Sequence, residues 1–256
     1  MADVNVEAAA QFLVAARRAG KPGERIPENA RPRTVAQALA IQRRVSELLA
    51  LPIGGWKCSV PSGERSVALA PIYAPTIHRG SPCPIVPIGG KARIEPEIAF
   101  VVGSALPPRA TAYTEAEVKA AIGETRTVLE LIGPRYADPA AVTYPELLAD
   151  NIANLGLFVG PAVPGGLTMG LEAFRIVVDS PDGVVLTREG RHPDGHPLPP
   201  LVALANYLAA NGEGLIAGQI VTTGSYCGVI DVPLDTRLAI KFGDFATMPV
   251  SLSAQT

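Results

Sequence analysis

Arg93-Ile94-Glu95-Pro96-Glu97-Ile98-Ala99-Phe100 is the stretch whose reading decides the rest of this chain. Successive side chains of a strand point to opposite faces, so Glu95 and Glu97 share one face while Ile94, Pro96 and Ile98 fill the other. Pro96 cannot donate a ladder hydrogen bond, which predicts a sheet edge or an irregularity at this point. Two carboxylates that close repel each other, and a cation between them removes the repulsion. The same pattern also fits a strand whose two acids simply face water, the ordinary place for glutamate.

Outward from this segment, the chain from Gly54 onward is a series of short apolar runs punctuated by Gly and Pro. GGWKCSV, CPIVPIGG, TVLELIG, GLFVGPAV, FRIVVDS, QIVTTGSYCGVI and RLAIKF are examples. Strands at such close spacing predict a β-rich roll or barrel-like core. The first fifty residues read as helices instead. Ala9, Phe12, Leu13 and Ala16 fall on one helical face, as do Ala38, Ile41, Val45 and Leu49, and Thr34-Val35-Ala36-Gln37 reads as a capping box. Two helices interrupt the strands: one starts at Thr114, with Glu117 as its capping partner, and one runs from about Pro199 to Ala210 and stops at Asn211-Gly212. With no repeat and no charged linker, the expected organisation is one α+β domain over residues 1–256. Residues 1–53 form its helical layer and 54–256 its β-rich core.

A third acid, Glu130, lies inside Val128-Leu129-Glu130-Leu131-Ile132, where every neighbour favours the interior. A buried carboxylate needs a counter-charge, so it predicts either an ion or an ion pair, with Arg135 the candidate partner. Three oxygen donors without a Cys or His cluster favour a hard ion, Mg²⁺ or Mn²⁺, over zinc. Lys57 sits in a strand-like run where it shares a face with Ser59. It reads either as an exposed lysine or as a cation beside the acids that orients an oxyanion or moves a proton.

Composition narrows the classes. The chain has 256 residues, 48% hydrophobic and 18% charged, with a formal net charge of -2. It is neither disordered nor basic enough to favour nucleic acid. Mean hydropathy is +0.24, which predicts apolar surface buried between subunits, hence a homo-oligomer. The uncharged span from Ile152 to Leu171 is broken by Gly156, Gly160, Pro161, Pro164, Gly165 and Gly166, so a membrane span is not expected. Acids precede arginines in residues 1–20, the reverse of a secretory signal, and the expected location is cytoplasmic. Cys58, Cys83 and Cys227 are too scattered for a disulfide framework or structural zinc. His192 and His196 flank Pro-Asp-Gly, which is turn chemistry first. No phosphate-cradling glycine motif is present. Thr223-Gly224-Ser225 reads as a turn with hydroxyls facing a pocket, or as a plain strand-end turn.

At these residues the chain resembles the fumarylacetoacetate hydrolase superfamily, in its 2-keto-4-pentenoate hydratase and 4-oxalocrotonate decarboxylase branch. Gly55-Trp56-Lys57-Cys58-Ser59-Val60 is similar to that branch's G-Y-K-x-G-L segment, and Ile94 to Phe100 to its V-E-x-E-I-A-F strand. Leu129 to Ile132 with Arg135 resembles A-x-E-I-x-D-S-R. Ala149-Asp150-Asn151, Gly195-His196-Pro197-Leu198, Leu204-Ala205-Asn206 and Gly218 to Ser225 match further signatures in order.

The resemblance implies a mixed β-roll of the fumarylacetoacetate hydrolase C-terminal type. It also implies Mg²⁺ or Mn²⁺ on Glu95, Glu97 and Glu130, chelated by the 1-carboxylate and 2-oxo groups of a 2-oxo acid. Lys57 would stand beside the enolising oxygen, and Ser59, Asp150, Thr223 and Ser225 would contact substrate. The chain departs from the branch at two places. Its P-D-F/Y-G aspartate is replaced by Ile72, and its D-N-A-S segment reads Asp150-Asn151-Ile152-Ala153. Tyr73 or His78 is then the expected replacement acid–base group, and apolar Val67, Leu69, Ile72 and Ile77 predict an uncharged substrate tail. The expected activity is a metal-dependent lyase hydrating a 2-keto-4-pentenoate-type substrate of aromatic degradation. Decarboxylation of an oxalocrotonate-type acid is the alternative, followed by a non-catalytic subunit partnering a paralogous hydratase or decarboxylase. Hydrolytic carbon–carbon cleavage needs a histidine early in the core, and none precedes His78.

Overall fold

The computed structural model describes residues 4–63, 66–133 and 135–255. Two helices that pack on each other come first, α1 (Val6–Ala19) and α2 (Val35–Leu49). Thr34 caps α2 by accepting from the Gln37 N–H. The Gln37 side chain reaches past Thr34 to the Arg33 N–H, so the predicted capping box is only half formed. Ala9, Leu13, Ala38, Ile41 and Val45 are buried where the two helices meet, with Tyr136, Leu148 and Ala149 from the core.

The main sheet is built from β1 (Ile53–Cys58), β2 (Leu69–Tyr73), β3 (Ile77–His78), β5 (Lys91–Val102), β6 (Ile122–Ile132), β7 (Asn154–Ala162), β10 (Ile220–Ser225) and β11 (Ile230–Pro233). Its order is β2-β1-β10-β5-β6-β7-β3, with β11 also on β5. β2 lies against β7 as well, so the sheet curls back on itself. A second sheet, β13-β12-β8-β9, uses β8 (Ala173–Ser180), β9 (Gly183–Arg191), β12 (Leu238–Phe242) and β13 (Ala246–Val250). β4 (Cys83–Ile85) pairs with β14 (Leu252–Ala254). The resulting mixed β-roll with helices on its outside is the fold class expected from the sequence.

The curled sheet buries both faces. Outward, Trp56, Phe100 and Val221 pack under α3 (Glu115–Ala121) and α5 (Leu198–Ala210). Further round, Ile94, Leu129, Leu131 and Phe158 pack against Ile176, Ile240 and Phe242 of the second sheet. Each such burial contributes about 1.5–3 kcal/mol. Thr114 and Glu117 form the expected capping box on α3. The Ile152–Leu171 span is η-turn, β7 and loop, and no helix of the described residues is long and apolar enough to cross a membrane.

Pro96 sits on a central strand and not at an edge. β10 pairs with β5 from Val101 to Glu97, then β11 takes over from Ile94 to Lys91. The proline falls at the handover, where a missing N–H leaves no ladder bond broken. The irregularity predicted there is present.

Candidate metal centre

Register decides which side chains enter the roll. Glu95 pairs with Glu130 and Glu97 with Val128, so all three acids lie on one face of β5 and β6. Thr222 pairs with Ala99 on one side and Lys57 on the other, which puts Thr222 and Lys57 on that same face. Beneath them the face becomes wholly apolar: Ile72, Ala99, Val128, Leu157, Val159 and Ile220 form one buried cluster. The interior is therefore a polar end resting on an apolar floor.

The oxygens of Glu95, Glu97 and Glu130 lie within 4.8 Å of one another. Lys57 Nζ donates to Glu130 Oε1 at 2.6 Å and to the Ile152 carbonyl at 3.3 Å. Asn154 Nδ2 donates to the same Glu130 oxygen at 2.9 Å. Glu97 Oε2 accepts from the Thr222 hydroxyl and, at 2.9 Å, from the Gly224 N–H. Glu130 Oε2 is buried with no hydrogen-bond partner. Burial, reinforced by the neighbouring carboxylates, pushes Glu95 up to about 7 and Glu97 up to about 8. Burial alone pulls the Lys57 ammonium down, but Glu130, Glu95 and Glu97 outweigh it and hold the lysine above its ordinary value.

Ionising all three carboxylates against one ammonium would leave two negative charges in a low-dielectric interior, which is why Glu95 and Glu97 resist it, and one carboxylate oxygen has no donor. Both features fit a divalent, oxygen-seeking cation, and the donor set suits Mg²⁺ better than a thiophilic metal.

No protein-family profile matches the chain. It is 25% identical to a 4-oxalocrotonate decarboxylase of Pseudomonas sp. (strain CF600) over 223 residues, 82% of each chain. It is 30% identical to a 2-keto-4-pentenoate hydratase of Paraburkholderia xenovorans over 155 residues, 59% of this chain and 52% of the hydratase. A second Pseudomonas decarboxylase is likewise matched over only 50% of its length. In fold, the chain is similar to 4-oxalocrotonate decarboxylase from Pseudomonas putida G7 complexed with magnesium and adipate. The TM-score is 0.76 at 21% identity, covering 96% of this chain and 97% of that one. A yeast fumarylacetoacetate hydrolase family protein aligns with a TM-score of 0.53 at 15% identity over 78% and 92% of the two chains. The chain is thus similar in sequence to 4-oxalocrotonate decarboxylases and 2-keto-4-pentenoate hydratases, and it shares the fold of fumarylacetoacetate hydrolase family proteins.

Not every expected site residue reaches the acids. Asp150 is fully buried, but Arg135 Nε binds its Oδ1 at 2.6 Å and the Arg135 N–H its Oδ2 at 3.3 Å. Asp150 is thus the partner of Arg135, and Glu130 is the partner of Lys57. Thr223 turns the other way from Thr222 and donates to the Ile98 carbonyl. Tyr73 shares its hydroxyl with Ser46 Oγ at 2.9 Å and Asn151 Nδ2 at 3.4 Å, on the side of α2. His78 pairs with Phe158, an outward residue, while its neighbour Ile77 packs on the interior floor. The imidazole is therefore on the opposite face from the acids, and half-burial lowers its pKa. Ser59 lines a small hollow against Ala203 and Leu204 of α5. Ser225 pairs with Glu97 in register, and its hydroxyl donates to the Gly228 carbonyl. Of the apolar residues expected to line a substrate tail, Leu69 and Val67 pack outward, and only Ile72 and Ile77 face inward.

Thr222, Asn154 and the Gly224 N–H are site groups that sequence reasoning missed. Strict alternation pairs Thr223 with Ser225, but a bulge between Thr222 and Ser225 breaks the parity. Gly224 has φ +130, and a Cβ there would lie 2.9 Å from Pro193 Cγ, so only glycine turns its N–H onto Glu97 without a clash. Asn151, Ile152 and Ala153 all have positive φ, at 55, 51 and 59. Three consecutive non-glycine residues in that region are costly, and here the strained turn aims the Ile152 carbonyl at Lys57.

Proposed function

We propose that the protein is a metal-dependent lyase acting on a 2-oxo acid, and that decarboxylation of an oxalocrotonate-type acid fits its site better than hydration. The observation that carries the lyase reading is the trio of half-buried Glu95 and buried Glu97 and Glu130, with Lys57 bonded to Glu130. Mg²⁺ or Mn²⁺ held by these carboxylates would supply Lewis-acid polarisation of the substrate's 1-carboxylate and 2-oxo groups. Lys57, fixed between Glu130 and the Ile152 carbonyl, orients the 2-oxo oxygen and donates a proton to it. As the bond to the leaving carboxylate breaks, its electron pair moves along the conjugated carbons to that oxygen. The products are CO₂ and a 2-hydroxydienoate, and solvent returns the proton to Lys57. Thr222 and the Gly224 N–H hold Glu97, and Asn154 holds Glu130, so the acids keep one geometry throughout.

Adding water would need a second acid–base group to activate it. At the position where the family resemblance expects an aspartate stands Ile72, buried in the apolar floor. Tyr73 and His78, the candidate replacements, face elsewhere. An apolar floor also favours a step in which a carboxylate gives up its charge. This reading departs from the expectation of an uncharged tail, because the second carboxylate is the group that leaves.

The test restores Mg²⁺ or Mn²⁺ to metal-stripped protein with either an oxalocrotonate-type acid or a 2-hydroxydienoate, following CO₂ and dienol absorbance separately. Metal-dependent CO₂ release with little loss of dienol is the expected result. Dienol consumption without CO₂ would restore the hydratase reading, and no turnover of either acid would favour a non-catalytic subunit. A cytoplasmic homo-oligomer, or an assembly with a paralogous hydratase or decarboxylase, is part of the same proposal, and sedimentation of the purified chain alone and with that paralogue tests it.

A further inference from the structure

A cavity of about 400 Å³ opens between the C-terminal turn of α1, the end of α2 and the loop after β4, and none of Lys57, Glu95, Glu97 or Glu130 lines it. Four cationic side chains do, Arg17, Arg18, Lys21 and Arg135, with no acidic residue among the described ones. In a chain with 22 Lys+Arg against 24 Asp+Glu, such a one-signed lining is not a consequence of composition.

Arg17 is the under-satisfied member. Its Nε is buried without a hydrogen-bond partner. Its Nη2 donates to the Asp150 carbonyl at 3.1 Å but reaches the charged Oδ1 only at 3.4 Å, an oxygen that Arg135 Nε already takes at 2.6 Å. Two guanidiniums thus share one carboxylate, leaving a surplus positive charge out of bulk water. Burial, with Arg135 nearby, pulls Arg17 down to about 10. Leu49, Val86, Ile88 and Leu155 make an apolar stretch of the remaining wall, which also carries Tyr73, Thr76 and Gln255.

We propose that this cavity binds a small aliphatic monocarboxylate, its carboxylate on Arg17 and its tail along Leu49, Val86, Ile88 and Leu155. A guanidinium fork matches a carboxylate in shape and charge. The volume falls within the range of small-molecule pockets, roughly 300–1,000 Å³. The site is separate from the acid cluster and does not rest on the lyase reading. One chain of bonds joins the two: Arg135 Nη1 donates to the Asn154 carbonyl at 2.8 Å, and Asn154 donates to Glu130. The test must therefore separate them by metal.

Hexanoate, hexanol and inorganic phosphate are titrated calorimetrically into the full chain, once metal-stripped and once saturated with Mg²⁺. Hexanoate is expected to bind one to one in both states, with hexanol and phosphate at least about tenfold weaker. Arg17→Gln is expected to weaken hexanoate by about tenfold or more. Ile88→Trp, which fills the tail region and leaves Arg17 in place, is expected to do the same and guards against a folding defect in the first variant. Hexanoate binding that appears only with Mg²⁺ would assign it to the acid cluster and overturn the proposal. So would unchanged binding in both variants, or hexanol or phosphate binding as tightly as hexanoate.

Discussion

Lys57 and Glu130 lie 73 residues apart in sequence and meet at 2.6 Å inside the roll, Nζ to Oε1, across two intervening strands. The pair holds only one Glu130 oxygen, and the other has no donor. Glu130→Gln keeps the volume but removes the charge from both relationships. Mg²⁺ affinity measured by calorimetry is expected to fall on the order of 100-fold, the upper end of what shell substitutions cost. An unchanged affinity would remove Glu130 from the ligand set.

Metal-free protein should lose stability as pH rises. Glu95 and Glu97 are raised from an ordinary 4.5 to about 7 and about 8. Between pH 4.5 and those values the folded state binds more protons than the unfolded one, so stability falls with increasing pH. The slope is at most about 1.4 kcal/mol per pH unit for each carboxylate. Lys57 is raised as well, but it titrates above this window. Melting temperature across pH 5 to 9 checks this, and saturating Mg²⁺ should flatten the decline because the cation replaces the protons. A flat profile without metal would contradict the burial of these acids.

Thr222→Val removes a hydroxyl donor to Glu97 while keeping the shape of the side chain. With one fewer donor the carboxylate is harder to ionise, so Mg²⁺ binding should weaken about tenfold. The pH needed for half-maximal binding should rise with it. Loss of affinity without that rise would assign Thr222 a purely steric role.

Asp150 is expected to behave as a structural residue. Asp150→Asn leaves Arg135 and Arg17 without their shared counter-charge, and breaking a buried pair in this way costs about 3–5 kcal/mol. Urea unfolding should show the loss, with Mg²⁺ affinity of the protein that still folds nearly unchanged. The converse, full stability with weakened substrate binding, would return Asp150 to the pocket.

His78→Ala should leave turnover within about twofold, since a surface-directed side chain away from the acids seldom matters energetically. A tenfold loss with unaltered melting temperature would put the imidazole back among the acid–base groups.

The strand carrying Glu95 and Glu97 was legible because alternation is a local property, and Glu130 because a lone acid in an apolar run is anomalous wherever it folds. Helix starts at Thr34 and Thr114 were legible for the same reason: a cap is written within four residues. On β10 the sequence pointed to Thr223 and Ser225, whereas Thr222 is the hydroxyl bonded to Glu97, since a bulge resets parity without any mark in the apolar pattern. Tyr73 and His78 were judged by nearness in sequence to the missing aspartate, yet the face each occupies depends on which strand it pairs with.

By itself the sequence determined which residues are chemically unusual: three acids in apolar settings, one lysine in a strand, and an isoleucine at a position where the family resemblance expects an acid. Only the tertiary structure decided the pairing, giving Lys57 to Glu130 and Arg135 to Asp150. Either carboxylate would have satisfied either cation. Charge is a property of a residue, but the distance that gives it an energy is set by strand register and by the curl of the sheet.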